Sequence, residues 1–113
     1  ALGVSNKLYM LENAIYSVIS PEGCASILFR DSRKSDEASY SLRLTATDIL
    51  ELGIGEGIVS EPLGGAHHNW EEVAASIQSV IVRDLEGFKD INSQSIIDQR
   101  YEKFRKIGKF QIP

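Results

Sequence analysis

Length, composition and charge bound what this chain can be. Its 113 residues, 42% hydrophobic and 25% charged, predict one small globular unit and exclude a disordered chain or a coiled coil. The net charge of -4 gives no general field to attract nucleic acid. No apolar run approaches the roughly 20 residues of a membrane-spanning helix, and we expect no signal peptide. We therefore expect neither a membrane nor nucleic acid as a partner.

The first predicted elements in chain order are two strands and a helix. The runs Lys7 to Leu11 and Ala14 to Ile19 are rich in aromatic and β-branched residues, which predicts two short strands. Ser20 and the proline after it form a helix-start pattern, because Ser caps free N–H groups and Pro suits the first helical position. We expect this helix to cover Pro21 to Phe29.

A charged connector separates that helix from the next one. It runs from Arg30 to Glu37 and is typical of a solvated turn. Either Ser35 or Asp36 is expected to cap the following helix, because both side chains accept hydrogen bonds from first-turn N–H groups. The sequence predicts this helix around Glu37 to Leu44.

A short helix and a brief strand are predicted next. Thr45 to Asp48 is a capping-box pattern, and it predicts a short helix that stops at Gly53. The apolar pair Ile58 and Val59 then predicts a strand, which the following Glu-Pro dipeptide closes.

Two longer amphipathic helices are predicted in the last third. Asn69 caps the first with Glu72 at its third position, and the second follows the polar break Asp90 to Ser93 and ends at Gly108. The first helix carries an apolar stripe made of Trp70, Val73, Ala74, Ile77, Val80, Ile81 and Leu85. The stripe of the second consists of Ile96, Ile97, Tyr101, Phe104 and Ile107. Both stripes need a surface to pack on, and these strands are too few to cover them.

The helix start at Ser20, Pro21, Glu22 and Gly23 is the most pointed local feature. Unpaired backbone N–H groups at such a helix end can hold an oxygen anion or a carbonyl. By itself, however, the tetrapeptide is typical of an ordinary capped helix. Cys24 follows directly and has apolar neighbours, so we interpret this single cysteine as a buried packing residue.

Other patterns favour structural interpretations. His67 and His68 are adjacent on the chain, and adjacent side chains of an extended segment point in opposite directions, so we expect no metal site. No Gly-x-Ser-x-Gly elbow indicates a hydrolase. The basic end of the last helix is typical of a solvated helix face, because cations are favoured at helix C-termini. Its basic residues are Arg100, Lys103, Arg105, Lys106 and Lys109.

Three blocks of the sequence, taken together, resemble one known family. They run from Tyr9 to Leu28, from Glu61 to His67 and from Arg100 to Phe110. In their order and spacing they are similar to the α subunit of the carboxyltransferase of multi-subunit acetyl-CoA carboxylase. The resemblance covers nearly all 113 residues and is far more specific than any short motif.

The resemblance implies an α/β chain with a partial crotonase-type fold, the one shared with ClpP. Residues 1–113 would form a single unit, the C-terminal part of a crotonase-like carboxyltransferase domain. Within it, residues 1–62 would be the end of a β-β-α spiral, and residues 69–110 would be C-terminal helices that make the second half mostly helical. The abrupt apolar start of the sequence agrees with this expectation of a trailing part.

The resemblance also implies a function. Family members transfer a carboxyl group from carboxybiotin to acetyl-CoA and form malonyl-CoA for fatty-acid synthesis. The carboxybiotin is held on a biotin carboxyl carrier protein, so no cofactor is expected on this chain itself. Its implied partners are the carboxyltransferase β subunit, the carrier protein and acetyl-CoA, in a hetero-oligomer of the bacterial cytoplasm or plastid stroma.

For site residues the resemblance implies little. Ser20, Pro21, Glu22 and Gly23 match a segment that turns toward the active-site region in this fold, so they are the expected substrate-binding residues that line or shape the pocket. The backbone donors to the enolate oxygen are expected upstream of Ala1. No catalytic residue and no metal ligand is assigned within the chain, which is expected to be inactive when isolated.

Two other interpretations stay open from the sequence. One is another crotonase-like acyl-CoA enzyme, either a hydratase or a decarboxylase-type carboxyltransferase. The other is a non-catalytic fragment whose helices serve only for subunit assembly.

Overall fold

The structure is a computed structural model that describes residues 2–109 and 112. Its helices and strands, in chain order, are β1 (Tyr9–Leu11), α1 (Pro21–Phe29), α2 (Ser35–Leu42), α3 (Ala46–Glu51), β2 (Gly57–Val59), α4 (Trp70–Phe88) and α5 (Ser93–Lys106). Short 3₁₀ turns cover Ser32–Lys34 and Ala66–His68. The described part is therefore an α/β structure in which most of the regular elements are helices. Position 110, the end of the predicted helical region 69–110, lies outside the described residues.

The sheet consists of β1 and β2, which run parallel. Tyr9 pairs with Gly57, Met10 with Ile58 and Leu11 with Val59. Parallel neighbours cannot be joined by a tight turn, and here the crossover consists of α1, α2 and α3. Both strands were predicted, although β1 begins two residues later than the predicted Lys7.

The predicted strand Ala14 to Ile19 is wrong. Its only sheet-like contact among the described residues is an isolated antiparallel bridge between Ile15 and Thr45. The Ser17 hydroxyl donates to the Ile19 carbonyl at 2.7 Å and accepts from the Ile19 N–H at 3.3 Å. This local bonding competes with strand pairing, so a β-rich composition is not sufficient to form a strand here.

Helix α1 has the predicted bounds, and it packs closely on α2. Ala25 of α1 and Ala38 of α2 are fully buried, and Cys24 is buried beside them. Small side chains at the contact allow two helices to approach closely. The prediction of a buried packing cysteine is confirmed.

The start of α2 differs from the prediction. The helix begins at Ser35, and Lys34 is its N-terminal flanking residue with no side-chain cap, so the expected caps Ser35 and Asp36 are wrong. The preceding 3₁₀ turn leads directly into α2, and Asp31 caps that turn by accepting the Arg33 N–H at 3.1 Å. The capping signal was therefore present in the connector but belongs to the turn before the helix.

Helix α3 follows its capping-box prediction. The Thr45 hydroxyl accepts the Asp48 N–H at 3.2 Å and donates to the Asp48 carboxylate at 2.8 Å. Gly53 lies beyond the helix with φ +73°, a conformation that costs glycine little. Both ends of α3 are therefore encoded locally.

Thr45→Ala should lower the free energy of unfolding by about 1 kcal/mol, because it removes the side-chain cap of α3. Urea denaturation followed by circular dichroism would measure the change. Thr47→Ala is the matched control, since Thr47 is exposed inside the same helix. An equal loss in both variants would show that the cap contributes nothing specific.

Helices α4 and α5 begin at asparagine caps. Asn69 Oδ1 accepts the Glu72 N–H at 3.2 Å, and Asn92 Oδ1 accepts the Ser95 N–H at 2.8 Å. The predicted start of α4 is confirmed. None of the helices in the described ranges is long and apolar enough to cross a membrane.

A charged pair fastens α5 to the sheet. Lys103 Nζ lies 2.7 Å from Glu56 Oε1, and both side chains are mostly buried. The second Glu56 oxygen accepts the Leu8 N–H at 2.5 Å. Glu56 precedes β2 and Leu8 precedes β1, so one carboxylate connects the entries of both strands to the last helix.

The core is small and the molecule is flat. Among the described residues its buried side chains include two separate clusters, Met10 with Ala46 and Ile49, and Cys24 with Ala25 and Ala38. The radius of gyration is 17.1 Å, against about 13 Å for a compact domain of this length. The apolar stripe of α4 stays largely uncovered, with only Val73 buried. Large exposed apolar side chains include Leu2, Val18, Tyr40, Leu63, Trp70 and Leu85.

Candidate functional site

The structure brings Ser20, Pro21, Glu22 and Gly23 together at the start of α1. The Gly23 N–H donates to Ser20 Oγ at 3.1 Å, and the Cys24 N–H donates to the Ser20 carbonyl at 2.9 Å. Proline has no N–H, so the Glu22 N–H is the first-turn donor left without a partner among the described residues. One free donor is fewer than the pair that typically holds an oxyanion. This helix start therefore lacks the paired donors of an oxyanion site within the described residues.

Gly23 is tightly placed against the residue before the cap. A Cβ at this position would lie 2.9 Å from Cγ1 and 3.1 Å from Cδ1 of Ile19. Ile19 in turn packs on the buried cluster between α1 and α2. The close approach explains why glycine suits this position, since any larger side chain must displace Ile19 or the helix start.

A cleft between α2 and α3 was missed by sequence reasoning. Its volume is about 390 Å³, and its lining is Ser39, Tyr40, Arg43, Leu44, Thr45 and Asp48. Arg43 follows α2 with φ +50°, and its guanidinium lies 3.0 Å from Asp48 and 2.5 Å from Glu51. No sequence signal marks this cleft, because it arises from the angle between two helices.

The charged groups of this cleft titrate away from their ordinary values. The Thr45 hydroxyl, and next Arg43, lower the pKa of Asp48 by hydrogen bonding to the charged carboxylate. The same contacts with Asp48 and Glu51 raise the pKa of Arg43. On the connector, hydrogen bonds from Arg33 lower the pKa of Asp31. These carboxylates are therefore held ionised by local partners.

Acid should destabilise the chain partly through Asp48. A carboxyl with a lowered pKa in the folded state adds stability above its ordinary pKa, near pH 4, and loses it as the pH falls through the lowered value. Asp48→Asn should therefore flatten the fall in stability between about pH 5 and about pH 2. Thermal melts across that range would measure it. An unchanged slope in Asp48→Asn would refute the assignment.

A second feature that sequence reasoning missed lies after the two parallel strands. Glu61 accepts the Asn13 N–H at 2.6 Å with one oxygen and the Ala66 N–H at 2.9 Å with the other. Glu12 accepts the Glu61 N–H at 3.2 Å. The two carboxylates connect the strand ends to the loop from Leu63 to His68, which we call the glycine-rich loop. Each glutamate follows a strand, and the carboxyl ends of the two parallel strands lie at the same edge of the sheet. Their positions in the sequence are therefore the signal that predicts this contact.

The glycine-rich loop carries the two histidines. Gly64 and Gly65 have φ of +91° and +104°, which favours glycine at both positions. The rings of His67 and His68 lie side by side with centroids 4.4 Å apart. Among the described residues, no group of three His, Cys, Asp or Glu side chains could hold a metal ion.

Tyr9 joins the sheet to α4. The Arg83 guanidinium donates to the Tyr9 hydroxyl at 2.8 Å and lies 5.8 Å from the ring centroid. Burial, and next a hydrogen bond with Asp84, raise the pKa of Tyr9. The phenol therefore stays protonated and serves to dock the helix.

Comparison with known proteins identifies the family. The family model described as acetyl co-enzyme A carboxylase carboxyltransferase-like matches residues 1–108. A protein of Listeria welshimeri named acetyl-coenzyme A carboxylase carboxyl transferase subunit alpha is 47% identical over 112 residues, 99% of this chain and 35% of the relative. Proteins with the same name are 46% identical in Bacillus velezensis, over 99% of this chain and 34% of the relative, and 47% identical in Desulfitobacterium hafniense, over 98% and 35%.

The match therefore runs along nearly the whole sequence, while the chain spans about a third of the length of the curated relatives it matches. The family model reaches from the first residue through α5 and includes the Ser20 to Gly23 segment and the glycine-rich loop. This chain belongs to the acetyl co-enzyme A carboxylase carboxyltransferase-like family.

Proposed function

We propose that this chain works as part of a carboxyltransferase α subunit of acetyl-CoA carboxylase. In that role it contributes to the transfer of a carboxyl group from carboxybiotin to acetyl-CoA, which gives malonyl-CoA for fatty-acid synthesis. The observation that carries the proposal is the 47% identity, over 99% of this chain, to a relative named as that subunit. The same name recurs among relatives from three bacterial genera.

The assembly we propose is a hetero-oligomer with a carboxyltransferase β subunit. A biotin carboxyl carrier protein would bring the carboxybiotin, so this chain itself holds no cofactor. The small core and the uncovered apolar stripe of α4 support a role in an assembly, because large exposed apolar faces mark contact surfaces. The bacterial relatives favour the bacterial cytoplasm over a plastid stroma as its location.

Within that assembly we place the chain in a crotonase-type fold. Residues 1–62 would end its β-β-α spiral, and residues 69–110 would be its C-terminal helices. The parallel pair β1 and β2 with a helical crossover supports this placement. The main donors to the enolate oxygen lie outside residues 1–113 in this proposal. Ser20, Pro21, Glu22 and Gly23 shape the pocket wall beside acetyl-CoA, which agrees with the single free N–H at this helix start.

A chimeric enzyme tests the proposal. The matching third of the Bacillus velezensis α subunit is replaced by this chain, and the product is purified with its β subunit. Carboxyl transfer is then measured from malonyl-CoA to the ureido nitrogen of biocytin. In this reverse reaction the nitrogen gains the carboxylate, its proton passes to carbon and acetyl-CoA is released. We expect turnover within about tenfold of the parent pair.

Two results would overturn the proposal. Hydration of an enoyl-CoA by the chimera, with no carboxylation of biocytin, would favour another crotonase-like enzyme. A chimera that assembles with the β subunit but turns over neither substrate would favour a purely structural fragment. A control chimera that carries the corresponding Listeria welshimeri segment shows whether the exchange itself is tolerated.

A further inference from the structure

The side chain of Glu61 joins two segments that lie far apart in the sequence. One of its oxygens accepts the N–H of Asn13, just after β1, at 2.6 Å, and the other accepts the N–H of Ala66, in the glycine-rich loop, at 2.9 Å. Hydrogen bonds to a charged acceptor are about twice as strong as those between neutral groups. This one carboxylate therefore holds the glycine-rich loop against the end of β1.

The glycine-rich loop begins with a turn that its own backbone fixes only weakly. The Gly65 N–H donates to the Pro62 carbonyl at 2.9 Å and closes the turn. Gly64 and Gly65 both have a positive φ, +91° and +104°. Glycine loses more conformational freedom on ordering than any other residue, so a turn with two glycines needs an external contact to hold one conformation. The residue after this turn is Ala66, which Glu61 binds.

The backbone of the loop also determines where the two imidazoles lie. A Cβ at Gly64 would lie 2.6 Å from Cδ2 of His68, and a Cβ at Gly65 would lie 3.3 Å from Cε1 of His67. Each ring therefore packs over the backbone of one glycine. The His68 N–H donates to the Gly65 carbonyl at 3.1 Å. A shift of the glycines would move both rings, so Glu61 acts on the imidazoles through the loop.

The glycine-rich loop lies at the carboxyl edge of the parallel strands. Glu12 directly follows β1, and Glu61 lies two residues beyond β2. The Glu12 N–H donates to the Val59 carbonyl at 2.9 Å, so the pairing of the strands continues to this edge. In open α/β sheets, ligands bind outside the carboxyl ends of the strands. The loop that Glu61 holds is therefore on the side of the sheet where a substrate is expected.

We propose that Glu61 is a positioning residue for carboxyl transfer, an inference that rests on the proposed function. Its carboxylate keeps the glycine-rich loop in one conformation, and the loop in turn helps to align the reacting groups. Glu61 itself contacts no substrate, because both of its oxygens are directed at N–H groups of this chain. These contacts are formed between described residues, so they do not depend on what covers the outer face of the loop.

Hydrogen exchange in the complete chain tests whether Glu61 holds the loop. Amide exchange is measured residue by residue by NMR. Glu61→Ala should speed the exchange of the Asn13 and Ala66 amides about tenfold or more, because both lose a charged acceptor. Glu12→Gln is the matched control, since it removes the same charge but keeps an oxygen to accept the Glu61 N–H. In this control both amides should exchange within about twofold of the parent.

The chimeric enzyme tests the effect on the reaction. Glu61→Ala should lower kcat for malonyl-CoA-dependent carboxylation of biocytin about tenfold or more and leave KM for malonyl-CoA within about threefold, because lost alignment appears in kcat and lost binding in KM. Glu61→Gln keeps one acceptor oxygen, so its kcat should fall between those of the parent and Glu61→Ala. It replaces Glu61→Ala if size-exclusion chromatography shows that the latter does not assemble with the β subunit. Glu12→Gln should keep kcat within about twofold.

The outcomes separate this inference from the proposed function. In a chimera whose parent form is active, unchanged exchange of the Ala66 amide in Glu61→Ala would show that the carboxylate does not hold the loop. Faster exchange with an unchanged kcat would mean that the loop serves packing within the subunit and not the reaction. A rise in KM alone would assign the loop to substrate binding. Each of these results overturns the positioning role. A parent chimera without carboxyl transfer would instead refute the proposed function, and this inference with it.

Discussion

Lys103→Met should lower the free energy of unfolding by about 2 kcal/mol, because it removes the cation that pairs with Glu56. The two side chains are 15% and 23% exposed and 2.7 Å apart. After the substitution, Glu56 keeps its bond from the Leu8 N–H but loses its only counter-charge within the described residues. A mostly buried carboxylate without a counter-charge is costly, since water reaches it poorly. Urea denaturation measures the change.

The controls for this prediction come from the same helix and the same pair. Lys106→Met removes an exposed charge from α5 and should change stability by less than about 0.5 kcal/mol. Glu56→Gln in the Lys103→Met background should recover part of the loss, because the neutral amide needs no counter-charge. Equal losses in Lys103→Met and Lys106→Met would show that the pair adds nothing beyond helix propensity.

Hydrogen exchange gives a second readout of the same contact. Among the described residues, the pair of Lys103 and Glu56 is the ion pair that joins α5 to the strand entries. Longer contacts from Lys103 to the Ser5 and Asn6 carbonyls support it. Lys103→Met should therefore expose the amides of α5 to exchange before those of α1. Simultaneous loss of protection in both helices would indicate global unfolding and contradict the local role.

Local signals in the sequence predicted much of the fold. The caps Ser20, Thr45 and Asn69 accept N–H groups three residues ahead, so the pattern that predicts them lies within one helical turn. Gly53 likewise ends α3 through its own backbone conformation. Elements whose ends depend on neighbours in the chain can be located without knowledge of the tertiary structure.

Elements that depend on distant partners could not be located in this way. The run Ala14 to Ile19 has the composition of a strand, but among the described residues its only sheet partner is Thr45, across one bridge. The contacts of Glu56 with Lys103 and of Arg83 with Tyr9 join residues far apart in sequence. The periodicity of apolar residues contains no information about such pairs, because they form only when the helices pack on the sheet.

The sequence likewise predicts only part of the candidate site. The helix start at Ser20 was predicted from its cap, but the tight contact between Gly23 and Ile19 is a tertiary property. The sequence does not single out Glu61, because one Glu before Pro is common at the end of a strand. Its two backbone partners, the N–H groups of Asn13 and Ala66, become apparent only when both strand ends lie together.

Gly23→Val should reduce carboxyl transfer by the chimeric enzyme about tenfold or more, if this segment shapes the pocket as we propose. A Cβ at position 23 would come within 2.9 Å of Ile19, closer than packed carbon atoms approach. Relief of that contact must shift Ile19 or the first turn of α1, and a displacement of about 1 Å near a reacting group is enough for such a loss. The measurement is kcat/KM for malonyl-CoA-dependent carboxylation of biocytin.

Gly87→Val is the matched control for this change. Gly87 lies in α4, and a Cβ there meets nothing within 4 Å, so the same substitution changes the intrinsic helix propensity in the same direction without a steric conflict. We expect its kcat/KM to stay within about twofold of the parent chimera. Size-exclusion chromatography must show that both variants assemble with the β subunit. Unchanged turnover in an assembled Gly23→Val enzyme would show that Ser20 to Gly23 do not shape the pocket. A segment that can shift without loss of activity does not position the reacting groups.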